Sequence, residues 1–313
     1  MTGRNQQLLL PKANSPWVSL IILLALTLIC TFSVQLFVLA FFVLVTGDFH
    51  ILLDQGVEGL LEKLPFLYGM LAASNLGTFL LPPLILQRIE KNQGIRYWGD
   101  SGRNWGTYLL MMLAFLLVCN PVMEAISLWN MDMQLPKSLG GVERWMRMQE
   151  DQMALLTEKL VMVTSFERLF LNIAVMAIIP AIAEEFYFRG VLQHIMTRLW
   201  RNTHVAVWLT AIIFSAIHMQ FYGFFPRMIL GLIFGYAFLW TRNIWIPVFG
   251  HFINNATVTV FAFVYARGGK SFQEMQESGA QHVIIYILSF IASCVVIYYF
   301  YKLSHKNDER KLG

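Results

Sequence analysis

Charge is what this 313-residue chain has least of: Asp, Glu, Lys and Arg make up 13% of it, about half the share of a soluble domain. So small a charged fraction excludes a disordered protein, a coiled coil and a nucleic-acid binder, each of which needs a densely charged surface. Cysteine is scarce as well. The three present, Cys30, Cys119 and Cys294, lie far apart in separate apolar stretches, which excludes a disulfide framework and any cysteine metal spacing. They read as small hydrophobes. There is no H-E-x-x-H and no G-x-S-x-G, and no aspartate lies inside an apolar stretch. Internal repeats, low-complexity tracts and linkers are absent too, so residues 1–313 read as a single domain.

What is abundant is apolar sequence, with 57% hydrophobic residues and a mean hydropathy of +0.56. This is the composition of an all-α, polytopic integral membrane protein, folded as one bundle of about eight transmembrane helices. A span needs about 20 apolar residues. Residues 17–47 contain no charge and are too long for the apolar region of a signal peptide, which runs to about 15 residues, so they read as a retained first helix. Further spans are expected at residues 64–87, 104–123, 168–199, 203–219, 222–240, 244–266 and 282–301. The polar, Met-rich residues 124–167 are expected to carry a surface helix instead. Trp17, Trp98, Trp105 and Trp240 fall near span ends, as interface anchors do.

Lysine and arginine in short loops set the orientation. Arg4, Lys12, Arg88, Lys91, Arg96, Arg103, Arg198, Arg201, Arg242, Lys302, Lys306, Arg310 and Lys311 fall on one side, and only Lys63, Arg267 and Lys270 on the other. Both termini are therefore expected in the cytoplasm.

An ionisable group inside a bilayer costs about 2.5–3.5 kcal/mol and is a functional candidate by default. Only Glu184 and Glu185 among the acids lie well inside a span; Glu124 reads as interfacial, at the end of one. Glu185 and Arg189 are four apart, share a helix face and can pair with the acid N-terminal. Glu184 is turned about 100° away and remains available. His218, on the next span, and His251 with Asn255, four apart on a later one, are the other polar groups at depth. Asn254 reads as polar glue between helices. His50, His194, His204, His282 and His305 fall in loops or at helix ends. These residue types suit hydrolysis. A desolvated Glu184 can take a proton from water, His218 can hold that water or share the base role, and His251 and Asn255 can donate to the oxyanion of a tetrahedral intermediate.

The segments E-E-x-x-x-R (Glu184, Glu185, Arg189), F-x-x-x-H (Phe214, His218) and H-x-x-x-N (His251, Asn255), in this order on successive helices, resemble the type II CAAX prenyl endopeptidases and the bacteriocin-processing proteins grouped with them. The resemblance covers roughly residues 165–265, a CAAX-protease-like catalytic core. It implies an eight-helix intramembrane protease in which Glu184 and His218 activate water while His251 and Asn255 form the oxyanion hole. The implied substrate is a membrane-associated protein or peptide, met within the lipid bilayer, with no cofactor. Three other readings remain. A zinc hydrolase would hold the metal on Glu184, His218 and His251. A proton-coupled transporter would use an intramembrane Glu–His relay. A bacteriocin-immunity scaffold would keep the fold for binding alone.

Overall fold

Backbone polar groups have no water to turn to in lipid, so apolar runs of this length close their hydrogen bonds within helices. The computed structural model describes residues 14–47, 49–50, 53–54, 59, 62–90, 105–277 and 282–312, which form helices and turns without a strand among them. The long helices are α1 (Pro16–Thr46), α2 (Leu64–Ile89), α3 (Trp105–Met131), α4 (Gly140–Val161), α5 (Phe166–Trp200), α6 (Thr203–Ala216), α7 (Phe221–Thr241), α8 (Trp245–Arg267) and α10 (Val283–Leu312), with a short α9 (Phe272–Glu277).

Local chemistry explains where they begin and break. The Ser15 side chain accepts from the Val18 N–H and Pro16 opens α1, while Gly47, at φ +73°, closes it with its N–H on the Val43 carbonyl. Prolines inside spans remove one ladder donor each. A π turn at Leu76–Leu80 precedes Pro82 and Pro83 in α2, and another at Ile173–Ile178 precedes Pro180 in α5. In α3 the ladder opens at Pro121. There Ser289 of α10 donates to the Val118 carbonyl (2.5 Å) and accepts from the Val122 N–H (3.1 Å), stitching the two helices together.

Among the described residues, seven helices are long and apolar enough to cross a membrane: α1, α2, α3, α5, α7, α8 and α10. The expected eighth span, at residues 203–219, is shorter than the sequence suggests. α6 has 14 residues, about 21 Å at 1.5 Å per residue against a hydrocarbon core of about 30 Å. It ends because the chain turns at His218 and Met219, the latter at φ +55°. Of residues 124–167, those up to Met131 continue α3, and Gly140–Val161 form α4, which is charged and is not one of the seven. Glu124 is not at a span's end. It lies within α3, with its Oε1 buried and lacking a hydrogen-bond partner among the described residues. Arg4, Lys12, Lys91, Arg96, Trp98 and Arg103 lie outside the described residues.

Burial is uneven. Half of the apolar window of α5 is enclosed by protein, and 44% of that of α8, against 11% for α1. So α5 and α8 form the interior, and α1 turns Leu28 and Phe32 outward. A core of Phe186, Phe188, Val191 and Ile195 from α5 packs on Phe214, Ile244 and Val248. A second, of Met112, Phe234, Ile246 and Phe300, backs it.

Candidate active site

The two glutamates close the α-helical turn of α5 that precedes a π turn at Phe186–Leu192. π turns widen a helix and recur at functional sites. Glu185 Oε1 accepts from Arg189 Nη1 at 2.8 Å, and both side chains are wholly buried. Arg189 also donates from Nη2 to the Gly231 carbonyl (3.0 Å), and its guanidinium lies 4.7 Å from the Phe214 ring centre and 5.7 Å from that of Phe234. One turn on, Gln193 donates to the Gly235 carbonyl at 3.2 Å. Glycine keeps both acceptors close to α6. A Cβ on Gly231 would lie 3.2 Å from Ala211 Cβ, and one on Gly235 2.9 Å from Val207 Cγ1, so α6 and α7 approach closely through a small-x-x-x-small stripe.

His251 binds the other side of the pair. Its Nδ1 is 2.9 Å from Glu185 Oε1. A carboxylate already receiving an arginine only accepts, so Nδ1 carries the hydrogen. Nε2 then faces Glu184 Oε2 at 3.9 Å, and that oxygen is buried with no hydrogen-bond partner among the described residues. Phe234 stacks on the imidazole at 5.7 Å and 18°. Gly250 leaves room for this, because a Cβ there would come within 2.9 Å of both Met112 Sδ and the Phe234 ring.

His218 occupies the turn after α6, with Nδ1 2.8 Å from the Phe214 carbonyl. A carbonyl cannot donate, so this imidazole too bears its hydrogen on Nδ1 and keeps Nε2 as an acceptor. The Phe214 ring stands between the two histidines, edge-on to His218 at 5.2 Å and to His251 at 6.0 Å. Asn255 donates from Nδ2 to the Met176 carbonyl at 3.3 Å. Pro180, four residues after Met176, has no N–H to offer that oxygen. Asn254 Nδ2 donates to Asn255 Oδ1 at 3.1 Å, which fixes the Asn255 amide and leaves its second N–H unassigned.

The structure therefore brings Glu184, Glu185, Arg189 and His251 into one buried cluster. His218 joins it through Phe214, and Asn255 lies one turn along α8. Among the described residues, no three His, Cys, Asp or Glu side chains are grouped as a metal site.

Several site residues escape a reading of the sequence. Phe234, Gly231 and Gly235 look like ordinary span residues, and only G-x-x-x-G spacing marks the glycines. Gln193 could have been found as the polar residue four after Arg189. Asn254 is more than helix glue, since it orients Asn255. Arg227, a cation inside the apolar run of α7, was the clearest signal. It donates to the Gln220 carbonyl and Oε1 (3.4 and 2.9 Å), and its charge lies within electrostatic reach of Glu184 and His218.

Seven apolar spans around a polar cluster define an integral, multi-pass membrane protein with a buried candidate site. Residues 166–257 match the family described as Type II CAAX prenyl endopeptidase Rce1-like, so the resemblance drawn from the three motifs is shown over the segment that contains all of them. An uncharacterized protein, YpbD of Bacillus subtilis (strain 168), is 32% identical over 89 residues, which are 27% of this chain and 42% of that protein. The chain thus spans less than half the length of this curated relative. No solved structure matches the chain significantly.

Proposed function

We propose that this protein is an intramembrane endopeptidase that hydrolyses a peptide bond of a membrane-associated protein or peptide without a metal. The observation that carries the reading is the buried, unpartnered Glu184 Oε2 facing His251 Nε2 across 3.9 Å. That separation is too long for a direct hydrogen bond, so Glu184 keeps an unused acceptor for a water admitted together with the substrate. Glu184 takes a proton from this water while the oxygen attacks the scissile carbonyl carbon, and the carbonyl π pair moves onto its oxygen. The intermediate collapses by breaking the C–N bond, and the leaving amine takes the proton from Glu184. His218, with Nε2 free to accept, holds the water or shares the base role.

His251 and Asn255 meet the oxyanion. With Nδ1–H committed to Glu185, His251 offers an Nε2–H only as the imidazolium. Glu184, Glu185 and Arg189 around it make that state electrically balanced, two negative charges against two positive. Asn255 uses one N–H on Met176 and has its second for the oxyanion. The match of residues 166–257 to the endopeptidase family supports the chemistry, and the lysine and arginine bias supports cytoplasmic termini, an arrangement in which the shorter apolar α6 makes the eighth crossing. A proton-coupled transporter or an immunity scaffold would use the same groups without cutting anything.

The test is product mapping. Purified protein in proteoliposomes, given membrane-anchored peptides, should release fragments whose new termini mass spectrometry locates at one bond. Unchanged peptides together with proton flux driven by a pH gradient would favour the transporter. Unchanged peptides without flux would favour the scaffold.

A further inference from the structure

The turn between α6 and α7 carries His218, whose N–H, like that of Met219, bonds back to α6 (Ser215 and Ala216 carbonyls, 3.4 and 3.1 Å), while other backbone groups just beyond it lack a helical partner. Buried polar backbone needs partners, and here side chains from four elements supply them. Arg227 of α7 donates to the Gln220 carbonyl at 3.4 Å, and Ser215 of α6 to the Phe224 carbonyl at 2.6 Å. Glu150 of α4 accepts from the Tyr222 N–H at 3.3 Å. Asn130, near the end of α3, holds the first turn of α7, directly after the turn that carries His218: its Nδ2 donates to the Phe221 carbonyl (3.1 Å) and its Oδ1 accepts from the Phe225 N–H (3.0 Å). Asn130 is 2% exposed. The neighbouring Trp129 ring lies 5.0 Å from that of Phe225, backing the same contact.

The turn is not relaxed without these ties. Met219, next to His218, holds φ at +55°, a conformation that non-glycine residues adopt at a cost and keep when their surroundings impose it. Two of the ties, Asn130 and Glu150, come from outside residues 166–257. Helices α3 and α4 therefore reach the backbone just beyond His218, although they carry none of the motif residues.

We propose that Asn130 is a positioning residue, which by clamping Phe221 and Phe225 fixes His218 relative to Glu184 and His251. The inference rests on the role given to His218 above. No other side chain among the described residues bonds the first turn of α7, Phe221 to Phe225, at two points and does so from a separate span. Removing its amide frees one carbonyl and one N–H together, and the turn can then shift to find replacements.

The experiment uses the full chain in proteoliposomes with a membrane-anchored peptide, comparing Asn130→Ala, His218→Ala and the double variant. Asn130→Asp serves as a second probe, because it keeps an oxygen that accepts from Phe225 while setting a carboxylate oxygen, in place of the donor, against the Phe221 carbonyl. Asn130→Ala should lower kcat at least tenfold with KM within twofold of wild type, and Asn130→Asp should fall between the two. In the His218→Ala background, Asn130→Ala should change the residual rate by less than twofold, because a residue acting through His218 has nothing left to act on. A folded Asn130→Ala or Asn130→Asp protein with wild-type kcat would overturn the proposal. So would a rise in KM alone, or the same fold loss in both backgrounds. Full activity in His218→Ala would instead remove the premise, and that result is visible before any Asn130 variant is measured.

Discussion

Glu184 and Glu185 are adjacent and chemically identical, yet their surroundings give them different work. Glu185 Oε1 receives Arg189 and His251, whereas among the described residues the Oε2 of each glutamate is buried without a hydrogen-bond partner. Replacing Glu185 by Gln leaves Arg189 wholly buried without its counter-charge. Losing one partner of such a pair costs about 3–5 kcal/mol, so Glu185→Gln should melt well below wild type and Glu184→Gln close to it. A melting order with Glu184→Gln the weaker would exchange the two roles. His251→Ala and Asn255→Ala should each reduce the rate by about 10²–10³, the usual loss for one oxyanion donor. Elemental analysis of the active protein should find no stoichiometric metal. About one zinc per chain, lost and regained with activity, would replace this mechanism. The Glu185–Arg189 pair was legible because i,i+4 spacing is a property of one helix. The Glu185–His251 bond was not, because it joins α5 to α8, and helical periodicity says nothing about which faces of two helices meet.

Among the elements, proline positions were legible and their consequences were not. The sequence shows that Pro180 and Pro121 interrupt their ladders, but not that Asn255 takes the Met176 carbonyl or that Ser289 bridges Val118 and Val122. The same limit hid the shortness of α6, since residues 203–219 read as one apolar run although the chain turns at Met219. Helix α4 offers a test through pH. Glu150 is half-buried against the Tyr222 N–H, and burial pushes its carboxyl above the ordinary carboxylate range. The Tyr222 N–H and Arg227 oppose that rise and Asp151 adds to it. A carboxyl that holds its proton more tightly folded than unfolded favours the folded state at low pH and loses that contribution as pH rises through its folded pKa. Glu150→Gln has no charge to desolvate and still accepts from Tyr222. It should melt at or above wild type near pH 7, and the difference should vanish below about pH 4, where the carboxyl is protonated in both states. A variant that melts below wild type near pH 7 would mean that the ionised carboxylate itself anchors α4.

For the whole molecule, membrane residence followed directly from how little charge there is, and the seven long spans follow the apolar runs closely. The gradient of burial was not legible. Charge-free sequence looks the same whether it faces lipid, as much of α1 does, or protein, as half of α5 does, because lipid and a protein interior select the same side chains. The first 160 residues looked functionally silent for a related reason: α3 and α4 reach the site through side chains that satisfy backbone, and such contacts leave no motif. The central claim is that Glu184 activates water for peptide hydrolysis, and one comparison tests it most directly. Turnover of a membrane-anchored peptide by wild type and by Glu184→Gln should be measured in matched proteoliposomes, with melting temperatures recorded alongside. The account predicts cleavage by wild type and none detectable by an equally stable Glu184→Gln. Near-normal cleavage by that variant would contradict it.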